Sequence, residues 1–380
     1  MQARVNINVN LLEWALNRPG INKEAISRKF PNLNKWLTKE KKPTVKQLSE
    51  LSKKLSIPFG LFFIEKPEPV DIEIPYYRTN KDVSASNLSV DFIDIYNIIK
   101  YRQEWVRDYL INIGAEPLDY VGKHNHKDKI EEVANDIRKI LKIDTNWASN
   151  FNSWIDSLKF LIEKIESVGI FTSISSIVGN NTRRKLDVNE FRGFVIVDEY
   201  APFIFINGSD SKSAQMFTIA HELAHILIGK SAAFDLRYTF PAKNEIEEFC
   251  NKVAAEFLVP AKDFLDLWHK YKGDPQPFKR LSHVYKVSEI VVARRALDLN
   301  IVNKTQFIKF YENYIKKEKI VNKRGGDFYS NQIYKIGKRL SMIVYQAVRD
   351  GSLLYSNAYR LIDLYGETFD NYYKKLSEYL

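Results

Sequence analysis

Apolar residues recur at helical spacing along most of the chain and cluster at strand spacing in one short stretch. Leu11, Leu12, Ala15 and Leu16 form the apolar stripe of the first of four short helices predicted over residues 8–64. Pro19-Gly20 ends that helix, and a second covers about 23–30. Pro31 suits the first turn of a third, ending near Lys39. Thr44 is a candidate N-cap for a fourth, with Leu48, Leu51 and Leu55 at helical spacing and Pro58 beyond its end. Three prolines in the next stretch, Pro67, Pro69 and Pro75, predict an extended linker. Residues 88–166 read as mostly helical, with amphipathic segments at 130–141 and 154–165. The spacing then changes, and 168–171, 194–197 and 203–206 are strand candidates, with a hairpin loop at 198–202. Ser211 or Ser213 is placed to cap a helix running to about Gly229, and another covers 244–258 and stops before Pro260. The remainder reads as helical, broken at Gly325-Gly326.

The 380 residues are more than one core usually serves, so several domains are expected. With 45% hydrophobic and 27% charged residues, the composition is globular and excludes a mainly disordered or collagen-like chain. The single cysteine, Cys250, excludes an intramolecular disulfide and suggests a reducing compartment. No apolar run approaches the roughly 18–20 residues that cross a bilayer. Residues 1–20 lack the basic start, apolar middle and cleavage site of a signal peptide. A cytoplasmic protein without a membrane partner is therefore expected. The net charge is +10, and residues 21–56 alone hold ten Lys or Arg against three acids. That basic stretch favours a polyanionic partner.

One motif carries specific chemistry. His221-Glu222-Leu223-Ala224-His225 is a His-Glu-x-x-His on a predicted helix. Four residues apart, the two imidazoles share one face and are placed to share a metal ion. Neutral imidazole nitrogens suit Zn²⁺, which keeps an open position in catalytic sites. Glu222 is rotated by about 100° and is placed to reach a water on the metal rather than the metal, as a general base requires. The bland alternative is an accidental pattern on a structural helix. Its flanks, Met216, Phe217, Ile219 and Ala220, then Ile226, Leu227 and Ile228, are apolar, so the helix is expected to be buried. Buried imidazoles and a carboxylate need partners, and a metal supplies one.

A third ligand is required. His124 and His126 fall in a polar stretch expected to face solvent. The acids ahead of the apolar face at Phe249, Val253, Ala254 and Phe257 are better placed: Glu245, Glu247 and Glu248. Glu247 and Asn251 are four apart, so one is placed to bind the metal while the other orients a ligand imidazole. The alternative is a solvated acidic face favoured by the helix dipole.

The run APFIFINGSDSKSAQMFTIAHELAHILIG, followed by IEEFCNKVAAEFLVP, resembles the ImmA/IrrE family of zinc metallopeptidases. The resemblance implies Zn²⁺ held by His221, His225 and Glu247, Glu222 as the catalytic base, and Asn251 supporting a ligand from behind. It also implies a transcriptional repressor or antitoxin as the protein substrate. KFPNLNKWLTKEKKPTVKQLSELSKKLSIPFGLFF looks like the Xre-type helix-turn-helix fused to members of this family, and 278–302 resembles the helix-turn-helix-like segment after the peptidase core. The expected fold class is α+β and mostly helical. It comprises a helix-turn-helix domain (1–65), a proline-rich linker (66–87), and a zincin-like metallopeptidase domain with a small antiparallel sheet (88–262). A helix-turn-helix-like segment (263–322) and an all-helical C-terminal region (323–380) follow.

One departure bears on DNA. Between the second helix and Trp36 the chain is about four residues shorter than an ordinary Xre repressor, at positions that usually read bases. Lys35, Lys39, Lys41 and Lys42 remain candidates for phosphate contact with double-stranded DNA. The alternative is a module that docks a protein. Arg294 and Arg295 in the second such segment also stand as phosphate candidates, although that segment is expected to pack on the peptidase core. The 203–206 strand is a candidate for binding an extended substrate at its edge. Arg237, Tyr238 and His283 are candidates for stabilising an oxyanion. The rival function is a non-catalytic DNA- or protein-binding regulator, or toxin–antitoxin component, with a structural zinc site. The presence of Glu222 argues against it, because a structural site has no use for that carboxylate.

Overall fold

The computed structural model describes residues 3–18, 21–55, 57–65, 88–234, 245–317 and 328–378. They fall into two units, 3–65 with 88–97 and then 98–378. The linker at 66–87, Arg237, Tyr238 and the Gly325-Gly326 break lie outside the described residues.

The first unit holds α1 (Val9–Asn17), α2 (Lys23–Lys29), α3 (Leu33–Leu37) and α4 (Val45–Leu55), followed by a 3₁₀ turn at Phe59–Phe63. Leu12, Trp36, Leu48, Leu51 and Phe62 share its core. Thr44 starts α4 as the sequence suggests, in a reciprocal cap. Its Oγ1 accepts from Gln47 N at 3.2 Å, and Gln47 Oε1 accepts from Thr44 N at 3.0 Å. α3 has only five residues. Lys35, Lys39 and Lys42 are exposed, and Lys41 is half-buried with Nζ 3.4 Å from Asn32 Oδ1. A further helix, α5, spans Val90–Asn112.

The second unit continues with α6 (Ile130–Leu141), α7 (Trp154–Ser167), β1 (Phe171–Ser175), β2 (Ile177–Val178), β3 (Asn181–Lys185), β4 (Gly193–Ile196) and β5 (Phe203–Asn207). Then come α8 (Lys212–Leu227), β6 (Ala232–Phe234), α9 (Glu245–Leu258), α10 (Ala261–Tyr271), α11 (Pro277–Tyr285) and α12 (Glu289–Asp298). The C-terminal part is helical: α13 (Lys304–Lys317), α14 (Phe328–Ile336), α15 (Lys338–Arg349), α16 (Tyr355–Ile362) and α17 (Glu367–Ser377). No helix among the described residues is long and apolar enough to cross a membrane.

The main sheet has the order β1-β5-β4-β6. It is mixed, not purely antiparallel as expected. The β4–β5 hairpin is antiparallel, with Phe194 opposite Phe205, whereas β1 pairs with β5 in parallel, Phe171 opposite Phe203. The chain leaves β1 through the β2–β3 hairpin, enters β4, and turns back as β5, which lies between β4 and β1 and runs the same way as β1. β5 is therefore interior, and the expectation that its edge receives a substrate is wrong. All five of its residues are buried, and the unbroken apolar run Phe203–Ile206 is what a strand covered on both faces requires. The outer side of β1 is covered by the junction of α14 and α15. There Gly337, at φ +93°, lies so close that a Cβ would sit 2.3 Å from the Thr172 carbonyl oxygen. Ser173 Oγ donates to Lys335 O at 2.6 Å, and Arg339 N donates to Glu166 Oε2 at 3.0 Å.

Candidate metal centre

α8 is buried almost all round, with fourteen of its sixteen residues inside, so its polar side chains face protein rather than water. Ser211 Oγ caps its start by accepting from Ala214 N at 3.3 Å. The sheet presses on it at Gly193, where only a hydrogen leaves room for Thr218. Its end is closed by a loop from earlier in the chain. Gly122 N donates to Ile226 O at 3.0 Å and His124 N to Leu227 O at 2.8 Å. The expectation that this loop faces solvent fails for His124. Its ring sits between Asp128 Oδ2 at 3.0 Å and Asp136 Oδ2 at 3.1 Å.

Within this frame His221, His225 and Glu247 come together. His221 Nε2 lies 3.0 Å from His225 Nε2 and 3.2 Å from Glu247 Oε2, and His225 Nε2 lies 3.1 Å from Glu247 Oε1. Both imidazoles are wholly buried, and Glu247 is 7% exposed. Ligand atoms held tetrahedrally at about 2.0–2.1 Å from a zinc ion are about 3.3 Å apart, so the spacing suits such an ion. Among the described residues these three are the group of His, Cys, Asp or Glu side chains whose ligand atoms converge in this way.

Electrostatics prepare the same donor set. Burial lowers the His221 pKa to about 4, against the opposing pull of Glu247, so the ring is neutral at pH 7. Asn251, one turn along α9 from Glu247, adds a weaker polar contact to His221 that acts in the same sense as Glu247. Burial pushes the Glu247 carboxyl up, but the two imidazoles outweigh it and hold it below the usual carboxylate range. Burial, and then Glu247 and Glu222, push the Cys250 thiol well up, so it offers no thiolate to the cluster.

Glu222 is wholly buried, and neither carboxyl oxygen has a hydrogen-bond partner among the described residues. Burial first, and Glu247 second, raise its pKa well above the ordinary value. A carboxyl left without partners in the interior is a cost to folding that a site role explains. His283 does not join the cluster: it stacks edge-on against Trp154 at 4.7 Å between ring centroids. Arg294 pairs with Asp298 at 3.0 Å, and Arg295 is buried against Glu256 rather than held out to phosphate. Sequence reasoning missed the roles of Arg138 and Arg295 at the far end of α9. Their only signal was a basic residue at the spacing of the buried face, Arg138 beside Ala134 and Leu141 and Arg295 beside Val291 and Val292.

A family model described as the IrrE N-terminal-like domain, of the peptidase M78 type, matches residues 165–297. This span runs from the end of α7 to α12 and contains all the converging side chains. The match supports an ImmA/IrrE-like metallopeptidase domain over those residues. A second model, described as a domain of unknown function, matches residues 336–375. No curated protein matches the chain.

Proposed function

We propose that the protein is a zinc-dependent endopeptidase that cuts a transcriptional repressor or antitoxin. The observation that carries this reading is the convergence of two imidazole nitrogens and the Glu247 carboxylate, 3.0–3.2 Å apart and buried, next to the unpartnered Glu222. His221, His225 and Glu247 would hold the ion, with Asn251 supporting His221. A bound Zn²⁺ supplies Lewis acidity, which polarises the scissile carbonyl and makes water a stronger acid. Glu222 takes a proton from the attacking water on a carboxylate oxygen and returns it to the departing amine nitrogen as the C–N bond breaks. Charge neutralisation at Glu247 removes one of the two causes that raise the Glu222 pKa. The choice of substrate rests on the family resemblance.

Purified wild type should carry stoichiometric zinc and cleave a co-encoded repressor or antitoxin. His221→Ala should lose the zinc, and Glu222→Gln should keep it without cleaving. An intact partner with zinc-loaded wild type would favour the regulator reading instead. For the N-terminal unit, the five-residue α3 and the exposed Lys35, Lys39 and Lys42 support phosphate contact without base reading.

A further inference from the structure

α9 meets the histidines at its N-terminal end and is fastened at its C-terminal end. Arg138 of α6 donates through Nη2 to Glu256 O at 2.6 Å and Phe257 O at 3.0 Å. Arg295 of α12 donates through Nε to Val259 O at 2.9 Å and pairs through Nη2 with the Glu256 carboxylate. The same carboxylate accepts from the N–H of Ala261, the first residue of α10, at 3.2 and 3.4 Å. Arg138, Glu256 and Arg295 are 6%, 6% and 7% exposed. The last carbonyls of a helix have no partner within it and carry the negative end of its dipole, so two guanidinium groups suit this position. The ion pair at the opposite end is far looser. His126 Nε2 lies 3.8 Å from Glu245 Oε2, with side chains 35% and 90% exposed. A surface pair of that kind holds little.

We propose that Arg295 is a positioning residue for Glu247. By locking the last turn of α9, it sets how far along its axis that helix lies against α8, and hence where the Glu247 carboxylate meets His221 and His225. The proposal rests on the metal-centre reading above. Glu247 and Glu256 are nine residues apart on one helix, about 13.5 Å along its axis. A helix of that length transmits an axial slip with little loss, and metal sites tolerate only about 0.2 Å in ligand distance. Six of the ten residues of α12 are buried, Arg295 among them. The second helix-turn-helix-like segment thus acts as a brace for the metal helices.

The test is a Co²⁺ titration of the full chain, followed by visible absorption and repeated by Zn²⁺ competition. Arg295→Gln should weaken binding about 10- to 100-fold while the far-UV circular dichroism stays that of wild type. In a Glu247→Ala background the same substitution should change affinity by less than about twofold, because the group it positions is gone. If Arg295→Gln does not fold, Arg295→Lys takes its place in both backgrounds. It keeps the charge opposite Glu256 without the guanidinium fork, and about a 3- to 10-fold loss confined to the Glu247 background is expected. Unchanged affinity in the folded variant, or an equal loss in both backgrounds, overturns the proposal and leaves the metal centre standing. Failure of wild type itself to bind cobalt removes the metal centre, and the proposal with it.

Discussion

Gly193 of β4 and Thr218 of α8 touch so closely that a Cβ on the glycine would stand 2.7 Å from Thr218 Cγ2 and 2.8 Å from the Phe205 carbonyl oxygen. His221 lies one turn further along α8, so the sheet holds the histidine-bearing helix where a single methyl group decides the spacing. Gly193→Ala should force helix and sheet apart and destabilise the fold by about 1–3 kcal/mol, measurable by urea unfolding. Bound zinc should recover part of the loss by mass action. Wild-type stability in the variant would show that this contact yields without strain.

Glu222 should be retained at the expense of stability. Its carboxyl is buried without a hydrogen-bond partner, so Glu222→Met removes a desolvated polar group and leaves an apolar side chain of similar length. In metal-free protein this variant should be more stable by about 1–3 kcal/mol, and so melt higher, while losing peptide cleavage altogether. Differential scanning calorimetry on the two apo proteins measures the first effect. A lower melting temperature would mean that the Glu222 carboxyl contributes to folding.

Glu166 makes stability depend on pH in an unusual sense. Burial, opposed by the Thr172 hydroxyl and the Arg339 backbone, raises its pKa from 4.5 to about 7. The folded chain therefore holds a proton that the unfolded chain has released between those two values. Stability falls as pH rises through that window, by a total on the order of 3 kcal/mol. Glu166→Gln should remove this component, so its unfolding free energy should drop less than that of wild type between pH 4.5 and 7.5. Parallel pH profiles of urea unfolding for the two proteins test this directly.

Gly337 joins the C-terminal helices to β1 at φ +93°, against the Thr172 carbonyl. Gly337→Ala combines a strained backbone with a collision against backbone, and should cost more than about 3 kcal/mol. Limited proteolysis should then release residues near 336–375 first. An unchanged digestion pattern would show that those helices are held elsewhere.

The parts of the site written locally were legible in the sequence. His221, Glu222 and His225 lie within one helical turn, so their spacing alone set their faces. Glu247 was not separable from Glu245 and Glu248 by spacing, because three acids in one turn differ only in what stands opposite them. The family resemblance was needed to choose among them. Non-local pairing defeated the reading of β5: its apolar run announced a strand, but its neighbours come from residues 171–175 and 193–196. The β2–β3 hairpin was missed because Asn181–Lys185 is polar throughout and shows no alternation. Arg295 stands in the sequence as a phosphate candidate on a segment expected to pack on the core, because a basic side chain does not reveal whether its partner is solvent, DNA or a buried Glu256. The expected solvent-facing loop at His124 failed for a related reason, since Asp136, twelve residues on, supplies one of its partners.

The loop at Gly122 and His124 that closes the end of α8 has a wider consequence. Together with α6, whose Arg138 grips the last turn of α9, it lies upstream of the 165–297 span that the peptidase family model matches. The matched module is therefore not portable as that span alone. Excised at residue 165, it would lose the donor to the Leu227 carbonyl at the end of α8 and one of the two guanidinium clamps on the glutamate-bearing helix. Any exchange of this module between proteins has to carry the preceding forty or so residues, from Gly122, with it.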